Sequence, residues 1–159
     1  FLDIVILASF FMLRILAGGF AIDINISSWF ILFSLFFFLA MASIKRITEL
    51  QKYTDQELSL NGRPYIKDNL SYLNLIGSLS GLLSMAAFSM YIISESSGEL
   101  YSNTSYLFIA GVLLSLWVFR LFHLTYKEKM YDDPITFSMK DKTSYIIIVS
   151  ILLVFYMAV

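Results

Sequence analysis

Cysteine is absent from this chain of 159 residues, and histidine occurs only once, at His123. Without cysteine the chain has no disulfide bonds and no thiolate metal sites, although this absence does not define its compartment. Because no second histidine accompanies His123, a histidine metal site is excluded as well. The net charge of −1 gives no indication of a nucleic-acid partner. The chain must therefore be understood from its apolar segments and its few charges.

Charged residues are also scarce, at 14% of the chain against about 25% in soluble domains. Uncharged runs of nearly the ~20 residues that cross a bilayer core of about 30 Å occupy positions 24–44, 69–94, 100–119 and 143–159. A fifth run, 4–22, is interrupted only by Arg14. The sequence therefore predicts an all-α, polytopic membrane helix bundle with five transmembrane helices, forming a single domain over residues 1–159.

Lysine and arginine are distributed unevenly between the polar loops. Nine of them follow the second and fourth predicted helices, and none lies in the loops after the first and third. Cytoplasmic loops are the ones enriched in these residues. We therefore expect a multi-pass protein, in the cytoplasmic membrane of a bacterium, whose two basic loops face the cytoplasm.

Several residues within the apolar runs need an explanation. A buried arginine costs about 2.5–3.5 kcal/mol on insertion scales, so Arg14 is predicted to face a polar partner or a hydrated cavity. Arg120 and His123 share one helix face, and either an interfacial belt or a site role would explain them. Gly77 and Gly81 predict close approach of a neighbouring helix.

The strongest polar cluster is "SIKRITELQKY", which directly follows the second apolar run. Glu49 lies four residues after Lys45 and three after Arg46, so either cation could hold it. Cations so placed can bind a phosphate or diphosphate, and carboxylates can hold Mg²⁺ together with water. The alternative is a solvated helix end. Arg63 and Tyr65, in "NGRPYIKDN", follow in the same predicted cytoplasmic loop.

The second cytoplasmic loop, "YDDPITFSMKDK", has charges of both signs. They are Asp132, Asp133, Lys140, Asp141 and Lys142. Pro134 between them predicts a turn. Because both polar loops are expected on one side of the membrane, together they could cover a cavity at the helix ends.

Four segments in order resemble the C-terminal half of UbiA-family prenyltransferases. They are "DIVILASFFMLRILAGG", "FLAMASIKRITEL", "NGRPYIKDN" and "YDDPITFSMKDKTSY". The pattern is most similar to the bacterial branch that includes decaprenyl-phosphate phosphoribosyltransferase-like proteins. The resemblance extends over nearly the whole chain.

This resemblance implies a bundle of about nine helices around a cavity open to lipid, of which this chain would be the last five. Family members bind Mg²⁺ and a diphosphate through two aspartate-rich motifs on the cytoplasmic side. The first motif would precede Phe1, so the chain is expected to be a C-terminal fragment that is inactive alone. At the second motif this sequence has Lys-Arg-x-x-Glu, and no metal ligand is assigned with certainty.

The resemblance also implies roles for individual residues. Lys45 and Arg46 would contact phosphate, and Glu49, the catalytic candidate, would orient them or accept a hydrogen bond from metal-bound water. Arg63 and Tyr65 would close the loop over the donor. The other substrate-binding candidates are Arg14, Asp133, Lys140 and Asp141. The charged residues of the second loop, including Asp132, could either shape that loop or contact the substrate, and both roles remain open.

The implied function is Mg²⁺-dependent transfer of an alkyl or aryl group other than methyl from a diphosphate donor, in isoprenoid-linked biosynthesis. Its partners would be an isoprenoid lipid, the diphosphate donor and the bilayer, with no nucleic acid. One alternative is phosphoribosyl transfer to a polyprenyl phosphate. A second, from a different class, is a non-enzymatic membrane subunit whose polar loops bind a partner.

Overall fold

The computed structural model describes residues 2–24, 26–52, 70–94, 101, 103–131 and 133–158. These residues form helices and no strand, which confirms the predicted all-α class. The helices are α1 (Leu2–Ala21), α2 (Ser28–Lys52), α3 (Leu70–Ile93), α4 (Ser105–Tyr126), α5 (Pro134–Lys140) and α6 (Lys142–Ala158).

The predicted membrane spans are present as helices. By length and composition, α1 to α4 can each cross a bilayer. The 17-residue α6 follows α5 after a bend of 97°, and the described ranges hold up to five spans when this bent pair counts as one. The protein is therefore a multi-pass membrane protein.

The long helices run antiparallel. Ile4 at the start of α1, Leu50 near the end of α2 and Leu73 near the start of α3 pack in one apolar cluster. At the other end of the bundle, the Asn103 backbone N–H donates to the Ala158 carbonyl at 3.2 Å, which joins the start of α4 to the end of α6. One end of the bundle, called the polar end below, thus contains the starts of α1, α3 and α6 and the ends of α2 and α4.

Helix α2 is the centre of the bundle and packs against α1, α3 and α4. Its 25 residues correspond to about 37 Å at 1.5 Å per residue, which exceeds a hydrocarbon core of about 30 Å. The helix continues to Lys52, beyond the uncharged run, so the charged cluster lies on its last turns. The Gln51 side-chain amide donates to the Thr125 carbonyl at 3.0 Å and links the ends of α2 and α4.

Two glycines of α3 lie against neighbouring helices, as the sequence predicts. A Cβ atom at Gly77 would lie 2.9 Å from Ser43 Cβ on α2 and 3.0 Å from Phe122 Cε1 on α4. At Gly81 it would lie 3.2 Å from Phe122 Cε2. The expected close helix packing is confirmed.

The prediction of a turn at Pro134 is wrong. Pro134 is the first residue of α5, a position that suits proline because its missing N–H has no helical partner there. The second polar loop therefore contains a short helix, and that helix brings Asp133 and Asp141 to its two ends.

The side of the membrane that the polar end faces is a testable prediction. A reporter fused after Val159 should be extracytoplasmic, and one inserted near Asn61 should be cytoplasmic, because lysine and arginine are retained on the cytoplasmic side. Alkaline phosphatase and green fluorescent protein fusions measure the two positions independently. The reverse pattern would place the polar end away from cytoplasmic donors and would contradict the site proposed below.

Candidate functional site at the polar end

Arg46 joins two helices at the polar end. Its guanidinium is ion-paired with Asp3 at the start of α1 and, at 2.5 Å, with Glu49 one turn further along α2. The Arg46 side chain is only 16% exposed. Of the two cations that could hold Glu49, Arg46 is therefore the partner that the structure shows. This arrangement ties α1 to α2 and orients the guanidinium.

Lys45 contacts a different helix. Its Nζ atom lies 3.2 Å from Asp133 Oδ1, and the two side chains are 41% and 36% exposed. Exposed ion pairs contribute about 0–1 kcal/mol. Asp133 is the N-cap residue of α5, yet its side chain makes no capping hydrogen bond. An N-cap side chain contributes about 0.5–2 kcal/mol, so capping α5 would stabilise this carboxylate about as much as its exposed ion pair with Lys45 does.

Asp141 fixes the bend between α5 and α6. Its Oδ2 atom accepts hydrogen bonds from Arg120 at 2.7 Å and from the Ser144 backbone N–H at 2.8 Å. Burial of Asp141 favours its neutral form, but these hydrogen bonds outweigh that effect and lower the pKa of its carboxyl. Asp141 thus remains ionised and caps α6, and Arg120 is its ion-pair partner.

An aromatic pocket lies beside the Lys45–Asp133 pair. It has a volume of about 80 Å³ and lies between α1, α2, α4 and the start of α5. Its aromatic lining consists of Phe11, Phe37, Phe38 and Trp117. The rings of Phe11 and Phe38 stack at 5.0 Å, and those of Phe37 and Trp117 at 6.2 Å. Such faces can stabilise a cation or pack against an apolar chain.

Trp117 brings one polar group to this apolar lining. Its side chain is 7% exposed, and its indole Nε1–H has no hydrogen-bond acceptor within the described ranges. A buried indole N–H usually has a partner. The pocket therefore combines aromatic walls with the ion pair at its edge.

Arg14 is not brought together with Lys45 and Arg46. It lies on an exposed face of α1, and its Cζ atom is 5.5 Å from the centre of the Phe11 ring, which lines the pocket. A charge that faces hydrocarbon is costly, which is why this face is expected to meet a polar partner or water. That expectation stays a prediction.

The remaining predicted site residues are dispersed or lie beyond the description. Lys140 is the exposed last residue of α5. Arg63, Tyr65 and Asp132 lie outside the described residues. Asp3 was missed by the sequence analysis, although the predicted topology placed the start of the first helix on the side of the basic loops. No spacing in the sequence identified the aromatic residues that line the pocket.

Magnesium ligands do not assemble in the described part of the chain. No group of three or more His, Asp or Glu residues there could hold a metal ion. Glu49, Asp133 and Asp141 each contact a cationic side chain instead. These carboxylates by themselves do not fit a Mg²⁺ site, and the expected Mg²⁺ dependence stays a prediction.

Known proteins are similar to the chain, among them the following three. The Sinorhizobium fredii protein y4nM is 30% identical over 159 residues, covering 99% of this chain and 31% of that protein. The nodulation protein NoeC of Azorhizobium caulinodans is 28% identical over 156 residues, covering 96% and 50%. The decaprenyl-phosphate phosphoribosyltransferase of Mycolicibacterium smegmatis is 36% identical over 96 residues, covering 59% and 29%.

The chain thus spans half or less of each of these relatives. No protein-family model matches it, and no solved structure matches it significantly. The fold and these similarities establish that the chain is part of a multi-pass helical membrane protein. Over part of its length, it is similar to a transferase named for a polyprenyl phosphate substrate.

Proposed function

We propose that this chain is the C-terminal part of a UbiA-like membrane transferase that transfers a group from a diphosphate donor in isoprenoid-linked biosynthesis. The observation on which the proposal chiefly depends is the juxtaposition at the polar end. There, Lys45 lines an aromatic pocket between the helices, and Arg46 follows it on α2. The partial similarity to decaprenyl-phosphate phosphoribosyltransferase supports the same class.

Each part of this juxtaposition suits a different part of the reactants. Lys45, half exposed at the edge of the pocket, can reach a phosphate oxygen. Arg46 is held by Asp3 and Glu49, which gives its guanidinium a fixed orientation. Preorganised positive groups stabilise the negative charge that develops on a departing diphosphate. The aromatic walls suit an apolar isoprenoid segment or a developing carbocation.

Between the two group transfers that the family resemblance leaves open, the comparisons favour phosphoribosyl transfer to a polyprenyl phosphate. The Mycolicibacterium smegmatis relative is named for that reaction, and its similarity covers 96 residues. In this reaction the departing group is again diphosphate, so the cations have the same role. The prenyl phosphate would then be the acceptor, and its apolar chain would lie toward the bilayer.

The test supplies the complete protein, purified in detergent and reconstituted in vesicles, with one labelled donor at a time. One reaction contains radiolabelled phosphoribosyl diphosphate with decaprenyl phosphate, and the other contains radiolabelled prenyl diphosphate with candidate aromatic acceptors. We expect label in the extracted lipid in the first reaction. Replacing Glu49 by alanine should raise the KM for the donor, because Arg46 loses the carboxylate that orients it. Absence of labelled lipid with both donors would favour the non-enzymatic membrane subunit.

A further inference from the structure

In this structure the aromatic pocket is too small to hold a lipid, although its lining favours an apolar group. Its volume is about 80 Å³, whereas ligand pockets usually measure about 300–1,000 Å³. The start of α5 forms part of its wall through Asp133, Pro134 and Ile135. A movement of this first turn would therefore enlarge the pocket without moving a transmembrane helix.

The ion pair at the start of this turn is replaceable. Asp133 is attached to Lys45 through one half-exposed ion pair, and it does not cap its own helix. Once released from Lys45, the carboxylate can rotate to cap the free backbone N–H groups at the start of α5, because aspartate is among the best N-cap residues. The rest of α5 stays fixed, because the Arg120–Asp141 pair holds the bend at its other end.

The chemistry around the pocket specifies what would take the place of Asp133. Lys45 attracts an anion, and the aromatic rings favour an apolar group. An amphiphile with a phosphate at its head and an apolar chain provides both. A free inorganic phosphate provides only the anion.

We infer that Asp133 is an internal substitute for the head group of a lipid phosphate. In this view, Lys45 exchanges the Asp133 carboxylate for the phosphate, and the first turn of α5 moves to admit the adjoining carbons. The identity of the lipid as an isoprenoid phosphate rests on the proposed function, but the exchange at Lys45 does not. The Asp133 carboxylate thus competes with the phosphate for Lys45, and this competition lowers the affinity for the ligand.

The exchange is tested by binding of farnesyl phosphate to the complete protein in detergent, measured by isothermal titration calorimetry. Asp133→Asn should tighten binding by about three- to fivefold, because an exposed ion pair of ordinary strength no longer competes. Lys45→Gln should weaken binding by about tenfold or more, because a charge-assisted contact is lost. In the Lys45→Gln background, Asp133→Asn should have no effect, since the two residues act through each other.

Glu128→Gln is the matched control, because it removes one negative charge after α4, at the same end of the bundle and outside the pocket. It should leave the affinity for farnesyl phosphate unchanged. Farnesol and inorganic phosphate, tested separately, should both bind more weakly than farnesyl phosphate.

Unchanged or weaker binding in folded Asp133→Asn would overturn the inference, as would a tightening of equal size with Glu128→Gln. Thermal unfolding of each variant identifies those that fail to fold. The result is independent of the transfer assay. If Asp133→Asn tightens binding but no group transfer occurs, the exchange at Lys45 stands and the proposed function is refuted. If transfer occurs but Asp133→Asn does not change the affinity, the proposed function stands and the exchange is refuted.

Discussion

Replacing Arg46 by alanine is expected to lower the rate of group transfer by about a hundredfold, the effect of removing one preorganised charged or hydrogen-bonding group from a developing anion. The structure adds a second reason for a large effect. The Arg46 guanidinium is ion-paired with the carboxylates of both Asp3 and Glu49, and its removal takes away the cation that these two carboxylates share. The variant should therefore also unfold at a lower temperature.

Two further variants separate these effects. Arg46→Lys keeps the charge but loses the planar group that can hold two carboxylates at once, so it should recover stability more than activity. Lys52→Ala removes a positive charge from the exposed end of the same helix and should change neither. Product formation per folded molecule is the deciding measurement. Full activity in both Arg46→Ala and Glu49→Ala would show that these charges are a solvated helix end.

Replacing Gly77 by alanine is expected to destabilise the bundle by about 1–3 kcal/mol, the usual cost of overpacking. The new Cβ would lie 2.9 Å from Ser43 Cβ and 3.0 Å from the Phe122 ring. Ser43 Cβ is attached directly to the backbone of α2 and cannot rotate away, so α2 and α3 would have to separate. This cost opposes the gain of about 1 kcal/mol that alanine has over glycine in a helix interior.

Gly18→Ala is the matched control, because it is also a helical glycine but has no atom within 4 Å of the added Cβ. It should be neutral or stabilising. Thermal unfolding in detergent, followed by circular dichroism, measures both variants. Equal melting temperatures for Gly77→Ala and Gly18→Ala would mean that the contact between α2 and α3 relaxes without cost.

The site was only partly predictable from the sequence. Neighbouring positions on one helix have fixed spacing, so the Arg46–Glu49 contact could be anticipated from their separation of three residues. The pairs Lys45–Asp133 and Arg46–Asp3 join different helices, and their separation along the chain gives no information about distance. Arg120 was assigned either to a belt or to the site, and only its contact with Asp141 shows that it holds the bend before α6.

The sequence by itself determined the class of fold and the places of the apolar helices, and it predicted which two loops share one side of the membrane. These properties follow from local composition, because crossing a bilayer requires a continuous apolar helix of a certain length. Only the tertiary structure decided which carboxylate each cation holds and that the start of α5 closes an aromatic pocket beside Lys45. Those features depend on how the helices pack and rotate against each other, and side-chain contacts between helices, not their hydropathy, set that arrangement.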